Sequence, residues 1–153
     1  MKYPEYLISA NRHNHACRVL KAKLDTFDEG DLSSEEFKFL VSSMYYLSGY
    51  IIECALKFKI FELKKYDPSL EVDEANCDSA GINFKKRIRT HSFSSLQNYL
   101  DSLISGLSHT SNKSEINKLL NTWHPEIRYS HIDLEYDQIK EFYAHSSQYL
   151  RKM

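Results

Sequence analysis

Apolar residues recur at alternating steps of three and four through most of the chain, the spacing of one face of an α-helix. Tyr3, Tyr6, Ala10, His13, Cys17, Leu20, Leu24 and Phe27 form the first such stripe and predict a helix of roughly 25 residues. Pro4 suits its first turn, where a missing N–H costs nothing, and Asp28-Glu29-Gly30-Asp31 reads as its stop. A second helix opens at Ser33, with Glu36 three residues on in a capping-box pattern. Phe37, Leu40, Met44, Leu47, Ile51, Cys54, Phe58 and Phe61 then follow heptad spacing, the strongest pattern in the chain. Gly49 inside this stripe costs up to about 1 kcal/mol against alanine and points to close approach by a neighbouring helix. Tyr66-Asp67-Pro68 ends the helix, because the residue before a proline is pushed out of the helical region.

Residues 67–90 have no clean period and read as a long loop, which inside a small bundle implies function or mobility. Thr90 is placed to cap a third helix whose buried stripe is Phe93, Leu96, Leu100, Leu103 and Leu107. Ser108 to Lys113 is a polar connector, and Ile116, Leu119, Leu120 and Trp123 mark a short fourth helix stopped before Pro125. Glu126 to Asp133 reads as irregular, and a last helix carries Tyr136, Ile139, Phe142 or Tyr143, and Leu150. The expected fold is all-α, an antiparallel four- to five-helix bundle forming a single domain over residues 1–153.

Composition narrows the function classes. Lys and Arg total 20 against 21 Asp and Glu, a net charge of −1, which argues against a basic footprint over the whole surface but not against a local patch. Only four glycines and three prolines occur, too few for a turn-rich sandwich or barrel. No GxGxxG or GxxxxGK[ST] phosphate loop is present, and no cofactor is expected. Cys17, Cys54 and Cys77 are widely spaced with no CxxC pair, which suggests reduced thiols. The opening MKYPEYLISANRH lacks the apolar core of a secretory leader. Phe39 to Leu63 carries Ser42, Ser43, Glu53, Lys57 and Lys59, too polar for a membrane span. A cytoplasmic protein with no membrane partner is therefore expected.

Candidate chemistry is sparse. The seven histidines form no HExxH, and no Cys/His pair has zinc-ligand spacing, so no metal site is expected. There is no GxSxG elbow, and Cys17 and Cys54 fall on core stripes. The informative cluster is Tyr50, Glu53 and Lys57 on the second helix. Glu53 precedes Lys57 by four residues, which places both on one face. Glu53 borders the apolar stripe and needs a partner if buried. Arg128 is a candidate, since a guanidinium forks onto a carboxylate, and the pair would lock the bundle. Lys85, Lys86, Arg87 and Arg89 precede His91 at the start of the third helix. They read either as a phosphate-attracting site, with the helix terminus adding its positive end, or as a solvated basic loop. His91 titrates near neutrality and is suited to moving a proton. The eleven tyrosines read as core and contact surface rather than base-stacking platforms.

The run Tyr46-Leu47-Ser48-Gly49-Tyr50-Ile51-Ile52-Glu53-Cys54-Ala55-Leu56-Lys57 resembles the helix signature of the HEPN superfamily (higher eukaryotes and prokaryotes nucleotide-binding domains). Thr90-His91-Ser92-Phe93 resembles that family's His-hydrophobic element, and Trp123 through Arg128-Tyr129 its late W-x-x-E-x-R-Y element. The three occur in family order across about residues 37–145. The resemblance implies an all-α bundle, commonly a homodimer, in prokaryotic defence, toxin–antitoxin or RNA-processing systems. Active members are metal-independent ribonucleases that use an Arg with a His four to six residues later. No arginine here has a histidine at that spacing: Arg87 and His91 are separated by three residues, and Arg128 and His131 by two. The expected catalytic set is therefore a non-standard one, His91, Arg128 and His131, with Tyr50, Lys57, Lys86, Arg87 and Arg89 toward nucleotide or RNA phosphate. The alternative is a non-catalytic helical module for dimerisation and protein contact, with Glu53, Lys57 and Arg128 mutually satisfied in the interior.

Overall fold

The architecture follows from one long apolar helix that the rest of the chain covers. A computed structural model describes residues 1–153, and its regular elements are helical apart from an isolated bridge between Lys2 and Glu71. The helices are α1 (Pro4–Leu24), α2 (Glu35–Leu63), α3 (Glu74–Ser79), α4 (Phe93–Asp101), α5 (Ser114–Thr122) and α6 (Tyr136–Leu150), an all-α helical bundle. Short 3-10 turns lie at Glu29–Asp31 and Pro125–Tyr129, and one turn of π-helix at Phe84–Ile88.

Pro4 stands in the first turn of α1 as the sequence predicts. Ser34, one residue beyond the predicted Ser33, caps α2: its Oγ accepts the Phe37 N–H at 3.2 Å. Lys65 ends α2 by taking a left-handed conformation (φ 52°), and the Tyr66 N–H donates back to the Phe61 carbonyl at 3.1 Å.

Sixteen of the 29 residues of α2 are buried, because α1, α4 and α6 all pack against it. By length and composition α2 is apolar enough to cross a membrane, yet most of its apolar stretch is covered within the molecule. Antiparallel α1 sets Tyr6 against Phe61 and His13 against Tyr50, and the segment that follows it sets Phe27 against Phe37. From α6, Phe142 meets Tyr45 edge to face at 5.2 Å. The buried apolar residues form one continuous cluster in which Met44, Ile51, Ile52, Leu56, Ile60 and Phe61 are inaccessible. Burial of each such side chain contributes about 1.5–3 kcal/mol. The three cysteines are free and buried.

Two parts of the prediction change. Residues 67–90, predicted as a loop, hold α3 and the π turn, each opened by a side-chain cap: Asp73 accepts the Asn76 N–H at 2.8 Å and Asn83 the Lys86 N–H at 2.9 Å. The predicted stripe of the next helix runs to Leu107, but α4 stops at Asp101 and is capped by Ser92 rather than Thr90. Gln97 is the reason for the early stop: its amide donates to the Leu107 carbonyl at 2.8 Å and to Asp101 at 2.7 Å. Leu103 and Leu107 therefore reach the core from an irregular return that turns at Gly106 (φ 83°).

Candidate functional site

Helical spacing places Tyr46, Tyr50, Glu53 and Lys57 on one strip of α2. Glu53 lies among Ile52, Cys54 and Leu56 and is 4% exposed. A bare carboxylate there would be costly, and both its oxygens are occupied: Lys57 Nζ is 2.7 Å from Oε1 and His91 Nδ1 is 2.9 Å from Oε2. The ammonium of Lys57 is also buried, 5.8 Å from the centre of the Tyr6 ring. Lys57 therefore holds Glu53 in place and faces the interior, a correction to its predicted role as a phosphate ligand.

His91 reaches Glu53 from the segment that leads into α4. Its side chain remains 55% exposed while the partner carboxylate is buried. That arrangement fixes the ring and the Nδ1 proton on Glu53 and leaves Nε2 for solvent or a ligand.

Arg128 does not pair with Glu53, which corrects the predicted ion pair. The cause is Trp123, five residues earlier. Its indole lies over Gly49, where an added Cβ would sit 2.0 Å from ring atoms, and its Nε1 donates to the Tyr46 carbonyl at 3.2 Å. The ring is clamped between Phe93, stacked at 4.9 Å, and the edge-on Tyr50 at 5.1 Å. The turn Pro125–Tyr129 is thus anchored at the level of Tyr46, about two helical turns short of Glu53. There the Arg128 guanidinium donates to the Tyr46 hydroxyl at 3.1 Å and covers the Tyr129 ring at 4.6 Å. Gly49 does admit a close neighbour, but the neighbour is an indole rather than a helix backbone.

Tyr50 joins the two ends of the strip. Its hydroxyl accepts from Tyr46 at 3.5 Å. Burial raises the Tyr50 phenol well above its ordinary pKa, Tyr46 and Glu53 add to the rise, and Arg128 opposes it. On the far side of Tyr50 lies His13 of α1, half-buried, with ring centres 5.5 Å apart. Burial and the adjacent Arg12 lower the His13 pKa, while Glu53 works against the fall. The apolar spacing of α1 predicts a core-facing position for His13. The signal that exposes it is the antiparallel pairing of α1 and α2, which brings this polar position opposite Tyr50.

The other predicted residues are dispersed. Arg128 and His131 line a groove of about 780 Å³ that also takes Phe39, Tyr46 and Tyr129; His91 is outside it. In the basic run, Lys85 pairs with Glu74 at 2.7 Å and Arg87 lies over the Tyr99 ring at 5.3 Å. Lys86 and Arg89 are exposed without a carboxylate partner. No three His, Cys, Asp or Glu side chains gather as metal ligands. No family model matches the chain, nor does any curated protein or solved structure.

Proposed function

We propose that the chain is a HEPN-like domain of a prokaryotic defence, toxin–antitoxin or RNA-processing system, cytoplasmic and homodimeric, which binds nucleotide or RNA and acts as a non-standard, metal-independent ribonuclease. The observation that carries this reading is an accessible imidazole, His91, oriented through Nδ1 by a buried carboxylate, Glu53. That geometry suits proton transfer at a ribose hydroxyl or at a departing oxygen. Lys86 and Arg89, which precede His91 in the chain, are exposed without a carboxylate partner, and Arg128 and His131 supply cationic and polar contacts at the other end of the strip. Tyr46 and Glu53 are seven residues apart, about 10 Å along the helix. Arg128 and His91 therefore address neighbouring parts of a nucleotide chain rather than one phosphate oxygen.

The test is cleavage of mixed-sequence RNAs with a chelator present, alongside thermal shifts with added nucleotide. The reading expects chelator-resistant cleavage, a fall of about 10²–10⁴-fold in His91→Ala, and weaker RNA binding in Arg128→Ala. Absence of both cleavage and a nucleotide-induced shift refutes it. The alternative, a non-catalytic helical module for dimerisation and protein contact, is favoured by one feature, the buried and mutually satisfied Glu53–Lys57 pair.

A further inference from the structure

The strip of α2 carries a histidine on each flank. His91 comes from the α4 lead-in and touches Glu53; His13 comes from α1 and touches Tyr50. Tyr50 and Glu53 are one turn apart on a single helix, with Cβ atoms about 5–6 Å from each other. Both imidazoles therefore lie around the Tyr50–Glu53 turn of α2: His91 contacts the Glu53 carboxylate, and His13, against Tyr50, is close enough to feel its charge. Neither is tied up: His91 offers Nε2, and His13 makes no hydrogen bond to another side chain.

We propose that His13 is a second catalytic residue, and that His13 and His91 act as a base–acid pair on the phosphodiester of single-stranded RNA, deepening the ribonuclease reading on which this rests. His13 accepts the proton of a ribose 2′-hydroxyl. The 2′-oxygen forms a bond to phosphorus, and the bond from phosphorus to the 5′-oxygen breaks. That oxygen takes its proton from Nε2 of His91, which enters as imidazolium with Nδ1–H on Glu53. The products are a 2′,3′-cyclic phosphate and a 5′-hydroxyl, so atoms and charge balance without metal, redox partner or cofactor. The single-strand requirement follows from the chemistry: in-line attack needs a 2′-oxygen free to rotate opposite its leaving group, which a duplex prevents.

The surroundings suit the division of labour. Burial and then Arg12 lower the His13 pKa, the direction that suits a base, while Glu53 works against the fall. The charged and titratable groups that bear on the pair are Arg12 on α1, Tyr46, Tyr50, Glu53 and Lys57 on α2, and Arg128 of the turn Pro125–Tyr129, with Arg89 two residues before His91 in the chain.

The experiment has two arms. In the first, chelator-resistant cleavage of a single-stranded oligoribonucleotide is followed against pH for wild type, His13→Gln, His13→Asn and His91→Gln. A bell is expected for wild type, with loss of about 10²–10⁴-fold in each variant. The acidic limb should vanish in the His13 variants and the alkaline limb in His91→Gln. In the second, uridine 3′-monophosphate is added to wild-type protein labelled at the histidine ring nitrogens, so that no variant need fold. Resonances of both rings are expected to move. If His91 alone responds, or if a folded His13 variant keeps its bell and a rate within about threefold, the role of His13 is overturned while the reading built on His91 stands. If neither ring responds and wild type does not cleave, both fall.

Discussion

Two histidines, one on either side of α4 in the chain, show how partner chemistry decides what an imidazole can do. His91 meets a carboxylate: Glu53 is buried, holds Nδ1 at 2.9 Å, and leaves the other nitrogen accessible. His109 meets neutral groups instead. It is buried behind Phe93, with Nδ1 2.8 Å from the Gln97 side-chain oxygen, which also accepts the His109 backbone N–H at 3.0 Å. Its carbonyl lies 2.6 Å from Nε2 of His145. With no carboxylate in contact to balance a proton, burial and then His145 push the His109 pKa down to about 4. One ring is oriented for proton traffic; the other is a neutral strut. Phe93, two residues after His91 in the chain, forms an aromatic wall with Trp123: it stacks on the indole and meets His109 at 5.8 Å.

The sharpest way to break the comparison is to remove the carboxylate. Glu53→Ala leaves the Lys57 ammonium buried without a counterion and frees the His91 ring. A destabilisation of about 3–5 kcal/mol is expected, read as a lower urea midpoint, because the desolvated charge loses its only carboxylate. Lys57→Met combined with Glu53→Gln removes both charges at similar volume and should restore most of the stability without restoring the orientation of His91. If the single variant costs under about 1 kcal/mol, the Glu53 region is not the locked element described above. Next in size is the wall itself. Gly49→Ala sets a methyl group where the indole of Trp123 now lies, and overpacking of this kind costs about 3 kcal/mol, offset by up to about 1 kcal/mol of helix propensity. Because Trp123 stacks on Phe93, the expected mark of Gly49→Ala is ring resonances shifted at both His91 and His109. A change confined to one side would show that the two regions are independent.

The α2 stripe and the Glu53–Lys57 pair were legible because helical period fixes which residues share a face, and the pair is local. The partner of Glu53 across the fold was not. His91 is 38 residues away, and its arrival depends on how the π turn and the Ser92 cap aim the chain into α4. Arg128 was assigned to the right strip but the wrong level, because no local rule states that Trp123 will choose the smallest residue of α2 as its seat. The failed extension of α4 to Leu107 has the same origin: the apolar period continues, but Gln97 ties down the return. The α1 stripe includes His13 but identifies only the face it occupies, not the Tyr50 that stands opposite.

The smallest effect tests the neutral strut by pH. His109 has an ordinary pKa of 6.5 when unfolded and about 4 when folded. Below pH 6.5 the unfolded chain gains a proton that the folded chain refuses, so stability is fully present above that pH and declines toward pH 4, then levels off. The depression amounts to about 2 kcal/mol after allowance for partial solvent access. The favourable term from Asp101 is the weakest of its influences, so it does not reverse the sign. His109→Gln keeps a neutral donor beside Gln97 and should lose this part of the acid sensitivity, flattening the urea midpoint between pH 6.5 and 4. If His109→Gln keeps the same acid-dependent slope, burial of this ring does not set the acid sensitivity of the fold, and the neutral strut is refuted.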